Sequence, residues 1–280
     1  MRFRDQALIK LQKLPLASLW IFGLKQAWSA LFGGLMLGAV ILTRYVTLPG
    51  LARYDWLFLF AIAIQAFLLL TKLEKPHEVL TIICFHLVGL GMEVFKTSGS
   101  IGSWSYPGHA FFHLANVPLF SGFMYAAVGS YIARAWRVFH LRFNHYPARW
   151  ATIVLALAIY INFFTHHYMY DFRLFLFAGL IGLYYKTTVS FENNKKTRHM
   201  PLLLGLVLIA FFIWVGENVG TFTTAWIYPS QAIHWHVVSL QKLGSWLLLM
   251  AISFTMIDLM HHHRAKVSKQ QQLIVRRSIW

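Results

Sequence analysis

Apolar and polar segments alternate along most of the chain. Eight apolar segments have about 17–25 residues, the length that an α-helix needs to cross the ~30 Å hydrocarbon core of a bilayer. The pattern therefore predicts an all-α protein, a polytopic membrane helix bundle with about eight transmembrane helices. The predicted spans are residues 26–43, 54–72, 77–95, 116–136, 148–167, 171–187, 200–217 and 237–260.

One unusual order of residues occurs once in each half of the chain. Each copy starts with an acid at the end of an apolar segment and continues through Gly, Ser and Thr residues to Trp-x-Tyr-Pro. Chance rarely produces such an order twice, so we predict two parallel four-helix repeats related by an axis along the membrane normal. The motif residues are Glu93, Trp104 and Tyr106 in the first copy, and Glu217, Trp226 and Tyr228 in the second.

The duplication divides the chain into five parts. The first four-helix repeat is predicted over residues 26–136 and the second over residues 148–260. A basic cytoplasmic linker, residues 137–147, joins them. Basic cytoplasmic segments form the two ends, residues 1–25 and 261–280.

The composition supports a membrane protein. Hydrophobic residues make up 58% of the chain and charged residues only 12%, whereas soluble domains are about 25% charged. The single cysteine, Cys84, excludes a disulfide framework and a cysteine-based metal site.

The formal net charge of +16 follows a topological pattern. If the N-terminus is inside, most Lys and Arg residues fall on the cytoplasmic side, as the positive-inside rule requires. We therefore expect a multi-pass protein of the bacterial inner (plasma) membrane, with both termini cytoplasmic and no nucleic-acid partner. The exceptions are Arg44, Arg53, Lys96, Arg173 and Lys242.

The chain has only 9 Asp and Glu residues, so two acids at equivalent positions are candidates for chemistry. Two carboxyls in one apolar pocket can divide the roles of acid and base. Glu93 and Glu217 are therefore a candidate catalytic pair, on opposite walls of an outer-leaflet cavity. Asp171, in the loop between the fifth and sixth spans, is a third candidate. The alternative is that both glutamates simply lie at the water boundary.

Aromatic and histidine side chains follow these acids and could bind a substrate. The Trp-x-Tyr pairs could instead be interfacial anchors. Histidines at i and i+4 can share a metal, but a pair supplies too few ligands for zinc, so we predict no metal and no cofactor. The candidate substrate-binding residues are Trp104, Tyr106, His109, His113, Trp226, Tyr228, His234 and His236, and the histidines considered for a metal are His109, His113, His166 and His167.

The segment from Gly91 to Pro107, with His109 and His113 after it, resembles the YoaT-like family of bacterial integral membrane proteins. This resemblance covers nearly the whole chain and implies a membrane protein of a family without an established function. The order of Glu, Gly-rich loop, aromatic-x-Tyr and Val117-Pro118-Leu119 more distantly resembles the carotenoid-biosynthesis hydratase family. That resemblance implies a hydratase.

Three classes of function remain open from the sequence. The first is a membrane-embedded hydratase or isomerase that acts on a lipid or isoprenoid at an outer-leaflet polar site. The second is a transporter or channel for a small solute or ion, and the third is a non-catalytic membrane assembly protein. The expected partners are membrane lipid and a hydrophobic small-molecule substrate.

The charge distribution generates a prediction of topology. Reporter domains fused at Lys96 and Gly220 should give external signals, because both loops are poor in the basic residues that hold a segment inside. A fusion at Lys195 should give an internal signal. A cytoplasmic signal from either of the first two fusions would contradict the predicted orientation.

Overall fold

The computed structural model describes residues 16–75 and 78–277, and these are mostly helical. Residues 1–15 of the predicted N-terminal segment, residue 77 of the third predicted span and residues 278–280 of the tail lie outside the described residues. The helices are α1 (Ala17–Ser29), α2 (Leu31–Tyr45), α3 (Arg53–Leu70), α4 (Glu78–Lys96), α5 (Phe120–Val138), α6 (Arg149–Thr165), α7 (Arg173–Tyr184), α8 (Leu202–Phe222) and α9 (Leu240–Arg277).

Four helices are long and apolar enough to cross a membrane. They are α3, α4, α8 and the first part of α9, Leu240–His262, and α1 with α2 would make a fifth, bent span. Helices α6 and α7 are apolar but shorter, with 17 and 12 residues. The described part of the chain thus supports four or five spans, while eight spans in two repeats stay a prediction.

The first predicted span, 26–43, is wrong as a single helix. Helix α1 begins at Ala17, and a break at Ala30 turns the chain by 71° into α2. The sequence pattern placed the start after Lys25 because a charged residue normally lies outside a span. The Lys25 ammonium instead lies 2.8 Å from the carbonyl oxygen of Glu192 and donates to it, so its charge is satisfied beside the helix bundle.

Short strands, which an all-α prediction lacks, interrupt two predicted spans. Strands β1 (His113–Leu114) and β2 (Val117–Pro118) form a hairpin, so the helix predicted from 116 starts at Phe120. A three-stranded antiparallel sheet, in the order β3-β4-β5, includes part of the predicted linker and the start of the span 200–217. Its strands are β3 (Arg142–Asn144), β4 (Thr188–Asn193) and β5 (Lys196–Pro201).

The two motifs meet at one end of the helix bundle. We call this the motif end, and it consists of the loops 97–119 and 223–239, which follow α4 and α8. The sheet β3–β5 lies at the opposite end, because α5 leads from the first motif loop towards β3. Helix α5 is central to the packing and contacts α1, α2, α3, α4 and α9.

The second motif loop folds back onto α8. The amide N–H of Ala225 donates to the carbonyl oxygen of Gly220, at 2.9 Å, and the Trp226 ring then lies directly on the helix. A Cβ atom at Gly220 would lie 2.1 Å from that ring. Only glycine therefore permits this approach of the ring to the helix.

An ion pair is buried near the opposite end. The Arg134 guanidinium in α5 lies 3.0 Å from a carboxylate oxygen of Glu74, and both side chains are at most 2% exposed. Gln65 and Ser130 also donate hydrogen bonds to this carboxylate. Because these partners come from α3, from the chain after it and from α5, the pair holds the two helices together.

We predict that Glu74→Gln destabilises the protein strongly, because it removes the carboxylate charge that the buried Arg134 guanidinium contacts at 3.0 Å. Breaking a buried pair typically costs about 3–5 kcal/mol. The control is Arg149→Gln, which removes a pair with Asp258 whose Arg side chain is 41% exposed. Thermal unfolding in detergent should show a much larger fall in Tm for the first variant; equal falls would contradict the prediction.

A second prediction concerns Gly220. Gly220→Ala should destabilise the protein by about 1–3 kcal/mol, the typical result of overpacking, and should move the Trp226 ring. Gly216→Ala in the same helix is the control, since its Cβ would lie 3.5 Å from Leu37, an ordinary contact. Tm and tryptophan fluorescence report the two effects, and an unchanged Gly220→Ala protein would contradict the described packing.

Candidate functional site

Glu93 lies in the last turn of α4 and is only 4% exposed. Its Oε2 accepts hydrogen bonds from Trp104 Nε1, at 2.8 Å, and from the Tyr106 hydroxyl, at 2.7 Å. Its Oε1 accepts a third from the Tyr125 hydroxyl of α5, at 2.8 Å. The loop can reach back because Ser103 N–H donates to the Lys96 carbonyl oxygen, which places the Trp-x-Tyr segment beside the helix end.

Glu217 of α8 has the same partners from its own motif. Its Oε1 accepts hydrogen bonds from Trp226 Nε1, at 2.9 Å, and from the Tyr228 hydroxyl, at 2.6 Å. Among the described residues, none donates a hydrogen bond to Glu217 Oε2. Tyr125 lies 32 positions after Glu93, and the residue at the same spacing after Glu217 is Leu249, which cannot donate.

The two motifs pair directly with each other. The residue between Trp and Tyr is Ser105 in one copy and Ile227 in the other, and these two residues form an antiparallel bridge. Their backbones exchange both N–H···O hydrogen bonds, at 2.9 and 3.0 Å. The Trp104 and Tyr228 rings also contact edge to face, with 6.3 Å between centroids. The two motifs therefore build one site.

This site opens into a cavity of about 1070 Å³ that both Glu93 and Glu217 line. Its volume is at the upper end of the roughly 300–1,000 Å³ of small-molecule pockets. The lining is mostly apolar and continues to the opposite end of the bundle, where Phe139, Phe143 and Phe191 contribute. The cavity thus combines two carboxyl groups at one end with a long apolar interior.

Three cationic side chains line the cavity near the motifs: Lys96, Arg173 and Lys242. Lys96 is 5% exposed, and its ammonium lies 2.7 Å from Nε2 of His167. The Lys242 ammonium lies 4.2 Å from the Tyr228 ring centroid and 5.6 Å from that of Trp104. These aromatic faces therefore already contact a cation of the protein itself.

Three side chains in the loops of the site, His167, Tyr106 and Tyr228, have shifted pKa values. Burial, and then the charge of Lys96, lower the pKa of His167 to about 4, so this imidazole is neutral at pH 7. Burial, and then the charge of the nearby glutamate, raise the pKa of Tyr106 and that of Tyr228 well above the usual value. Both tyrosine hydroxyls therefore keep their protons and remain donors.

Asp171, predicted as a third catalytic acid, is not among the residues that line the cavity. Its carboxylate lies 2.5 Å from the Arg173 guanidinium and 3.2 Å from the side-chain nitrogen of Asn162. Burial would raise the pKa of Asp171, but the hydrogen bonds from Arg173 and Asn162 outweigh it and hold the pKa at about 2. The structure thus places Asp171 as the partner that orients Arg173.

Four of the predicted substrate-binding residues lie away from the cavity. His109, His113, His234 and His236 are exposed and do not line it, whereas the Trp and Tyr side chains of the two Trp-x-Tyr pairs do. His166 does line the cavity, and the centroid of its ring lies 4.0 Å from the ring centroid of His167. Within the described ranges, no three His, Cys, Asp or Glu side chains are grouped as a metal site requires.

Sequence reasoning missed Tyr125 and Lys242. Nothing in the spacing marks Tyr125, because its partner lies on another helix. A signal for Lys242 did exist: Lys96, Arg173 and Lys242 are exceptions to the charge asymmetry, and all three line the cavity. A fourth exception, Arg53, donates to the carbonyl oxygen of Thr223 and so supports the second motif loop.

Comparisons with known proteins agree with the first resemblance. The family model described as "Protein of unknown function (DUF817)" matches residues 18–254. The chain is 43% identical to "Uncharacterized protein YoaT" of Bacillus subtilis (strain 168) over 236 residues, which cover 84% of this chain and 89% of the relative. No solved structure matches, and the resemblance to carotenoid-biosynthesis hydratases is not shown. The chain therefore belongs to the DUF817 family, and its apolar helices are compatible with a membrane protein.

Proposed function

We propose that the protein is a membrane-embedded enzyme, a hydratase or isomerase, that moves protons on a lipid or isoprenoid. One observation carries the proposal: the carboxyl groups of two equivalent motifs line a single, mostly apolar cavity. The apolar interior suits a lipid-soluble substrate, and two carboxyl groups are the usual means of general acid and base catalysis. The site is expected in the outer leaflet of the bacterial inner membrane.

Glu217 is the better-placed group for proton exchange with a substrate. Its Oε1 accepts the hydrogen bonds from Trp226 and Tyr228, whereas its Oε2 accepts no hydrogen bond from the described residues. Glu93 is held through both oxygens by three donors. We therefore propose that Glu217 donates the proton to the substrate and that Glu93 is the carboxylate that accepts a proton in the second step.

The proposed steps balance without a redox cofactor. One carboxyl group gives its proton to an alkene carbon of the substrate. In a hydration, water then adds to the cationic carbon and releases a proton to the other carboxylate. In an isomerisation, that carboxylate removes a proton from a neighbouring carbon, and the double bond moves.

A transporter is the second candidate, and the shape of the cavity favours it. The lining extends from Glu93 and Glu217 to Phe139 and Phe191 at the opposite end. A path through most of the bundle is what a carrier needs, and proton-coupled transport would also use buried carboxyl groups. The difference between the two functions is chemical, because transport leaves its cargo unaltered.

We predict that Glu217→Gln and Glu93→Gln each lower turnover by about 10²–10⁴-fold, the usual contribution of general acid and base catalysis. Gln keeps the shape and one accepting oxygen but cannot exchange the proton. The substrate is the lipid that accumulates in a deletion strain, offered to purified protein in detergent. Reactions in D₂O and in H₂¹⁸O, followed by mass spectrometry, report the new C–H and C–O bonds.

Glu192→Gln is the matched control, because the Glu192 side chain is 45% exposed and lies at the opposite end, so its loss should leave turnover unchanged. Hydration places both isotopes in the product, while isomerisation places only deuterium. If the purified protein incorporates neither isotope, but vesicles containing it move the lipid, the enzyme proposal fails and the transporter replaces it. If the Gln variants behave like the wild type, neither glutamate takes part in proton transfer, and the alternative that both simply lie at the water boundary is favoured.

A further inference from the structure

We propose that Lys96, Lys242 and Arg173 form a binding site for an anionic headgroup, phosphate or carboxylate, whose apolar tail occupies the cavity. The ligand is thus an anionic amphiphile. The inference deepens the proposed function, on which it rests for the ligand's role as substrate, by naming the substrate class. Binding itself does not depend on turnover and can be measured separately.

Lys96 is the strongest support for an anion site. Its side chain is 5% exposed and lines the cavity, yet its ammonium contacts the neutral imidazole of His167, at 2.7 Å, and forms no ion pair with a carboxylate of the described residues. A buried ammonium normally has an anionic partner, because removing its charge from water is costly. An anion in the cavity would supply that partner.

Lys242 faces the same space from the other repeat. Its ammonium lies over the Tyr228 and Trp104 rings, and no described carboxylate lies within ion-pair distance of it. Glu93 and Glu217, the acids that line the cavity, take their hydrogen bonds from Trp and Tyr side chains and not from the lysines. The two ammonium groups are therefore available to a ligand.

Arg173 supplies the planar donor that suits phosphate or carboxylate. It lines the cavity, and its bond to Asp171 fixes its position. That bond also neutralises much of its charge, so the main attraction comes from the lysines. The rest of the lining is mostly apolar and extends to Phe139 and Phe191, which favours a ligand with a long tail.

The test uses full-length protein in a neutral alkyl-maltoside detergent, with native mass spectrometry to measure binding. The probes are dodecyl phosphate, the uncharged analogue dodecanol, and inorganic phosphate. We expect dodecyl phosphate to bind at least about tenfold more tightly than either other probe. Dodecanol lacks the anionic group that would pair with the buried lysines, and inorganic phosphate lacks the apolar tail. Equal binding of dodecanol would overturn the proposal.

The variants are Lys96→Met and Lys242→Met, each of which should weaken dodecyl phosphate binding about tenfold or more. Lys186→Met is the matched control: Lys186 also lies over an aromatic ring, that of Tyr185 at 5.2 Å, but outside the cavity lining. Lys242→Arg keeps the charge and should retain binding. If the Met variants fold and bind like the wild type, the assigned residues are wrong.

The remaining outcomes separate the two proposals. Inorganic phosphate that binds as tightly as dodecyl phosphate would identify a free anion as the ligand and exclude the amphiphile. Glu217→Gln should lower turnover by about 10²–10⁴-fold while retaining dodecyl phosphate binding. If the wild type binds dodecyl phosphate but incorporates no isotope, the enzyme proposal is refuted and the anion site stands. If dodecyl phosphate binds no more tightly than dodecanol, only the anion site is refuted.

Discussion

The motif end depends on the hydrogen bonding of two buried carboxyl groups. A carboxyl group in an apolar interior is costly unless donors reach it, and here the Trp and Tyr side chains of each motif loop supply those donors. Each loop must fold back over its own helix to do so. The backbones of Ser105 and Ile227 can then pair, which joins the two loops into one cover over the cavity.

This common framework carries different side chains in its two halves. Three positions after Glu93 stands Lys96, whereas three positions after Glu217 stands Gly220. The glycine admits the Trp226 ring against its helix, while the lysine projects an ammonium into the cavity. The backbone pairing is thus nearly symmetric and the chemistry is not, as roles for a distinct acid and base require.

The sequence indicated a largely helical protein and singled out the two motifs, because long apolar stretches and a repeated motif are local signals. The break at Ala30 was not predicted, since α1 and α2 are both apolar and no Pro or Gly stands at the bend. Strand β3 was missed because it has only three residues and pairs with the distant strand β4. Strands β4 and β5 form a local hairpin across Asn194 and Lys195, a signal that the pattern of apolar segments does not show. Four exposed histidines were predicted to bind substrate but do not line the cavity. Residue type marks a candidate, but the conformation of the loop decides which side chains face inward.

The exceptions to the charge asymmetry contain more information than the asymmetry itself. A basic residue on the side that normally lacks them opposes the usual topological preference, and burial of its charge adds a further cost. In the predicted topology, Lys96 at the end of α4 and Lys242 near the start of α9 bear these costs at the same cavity. Neither lysine forms an ion pair with a described carboxylate, although two carboxyl groups line the same space. Structural roles alone would favour direct lysine–glutamate pairs, so the separation of the charges is best explained by an occupant that contacts both.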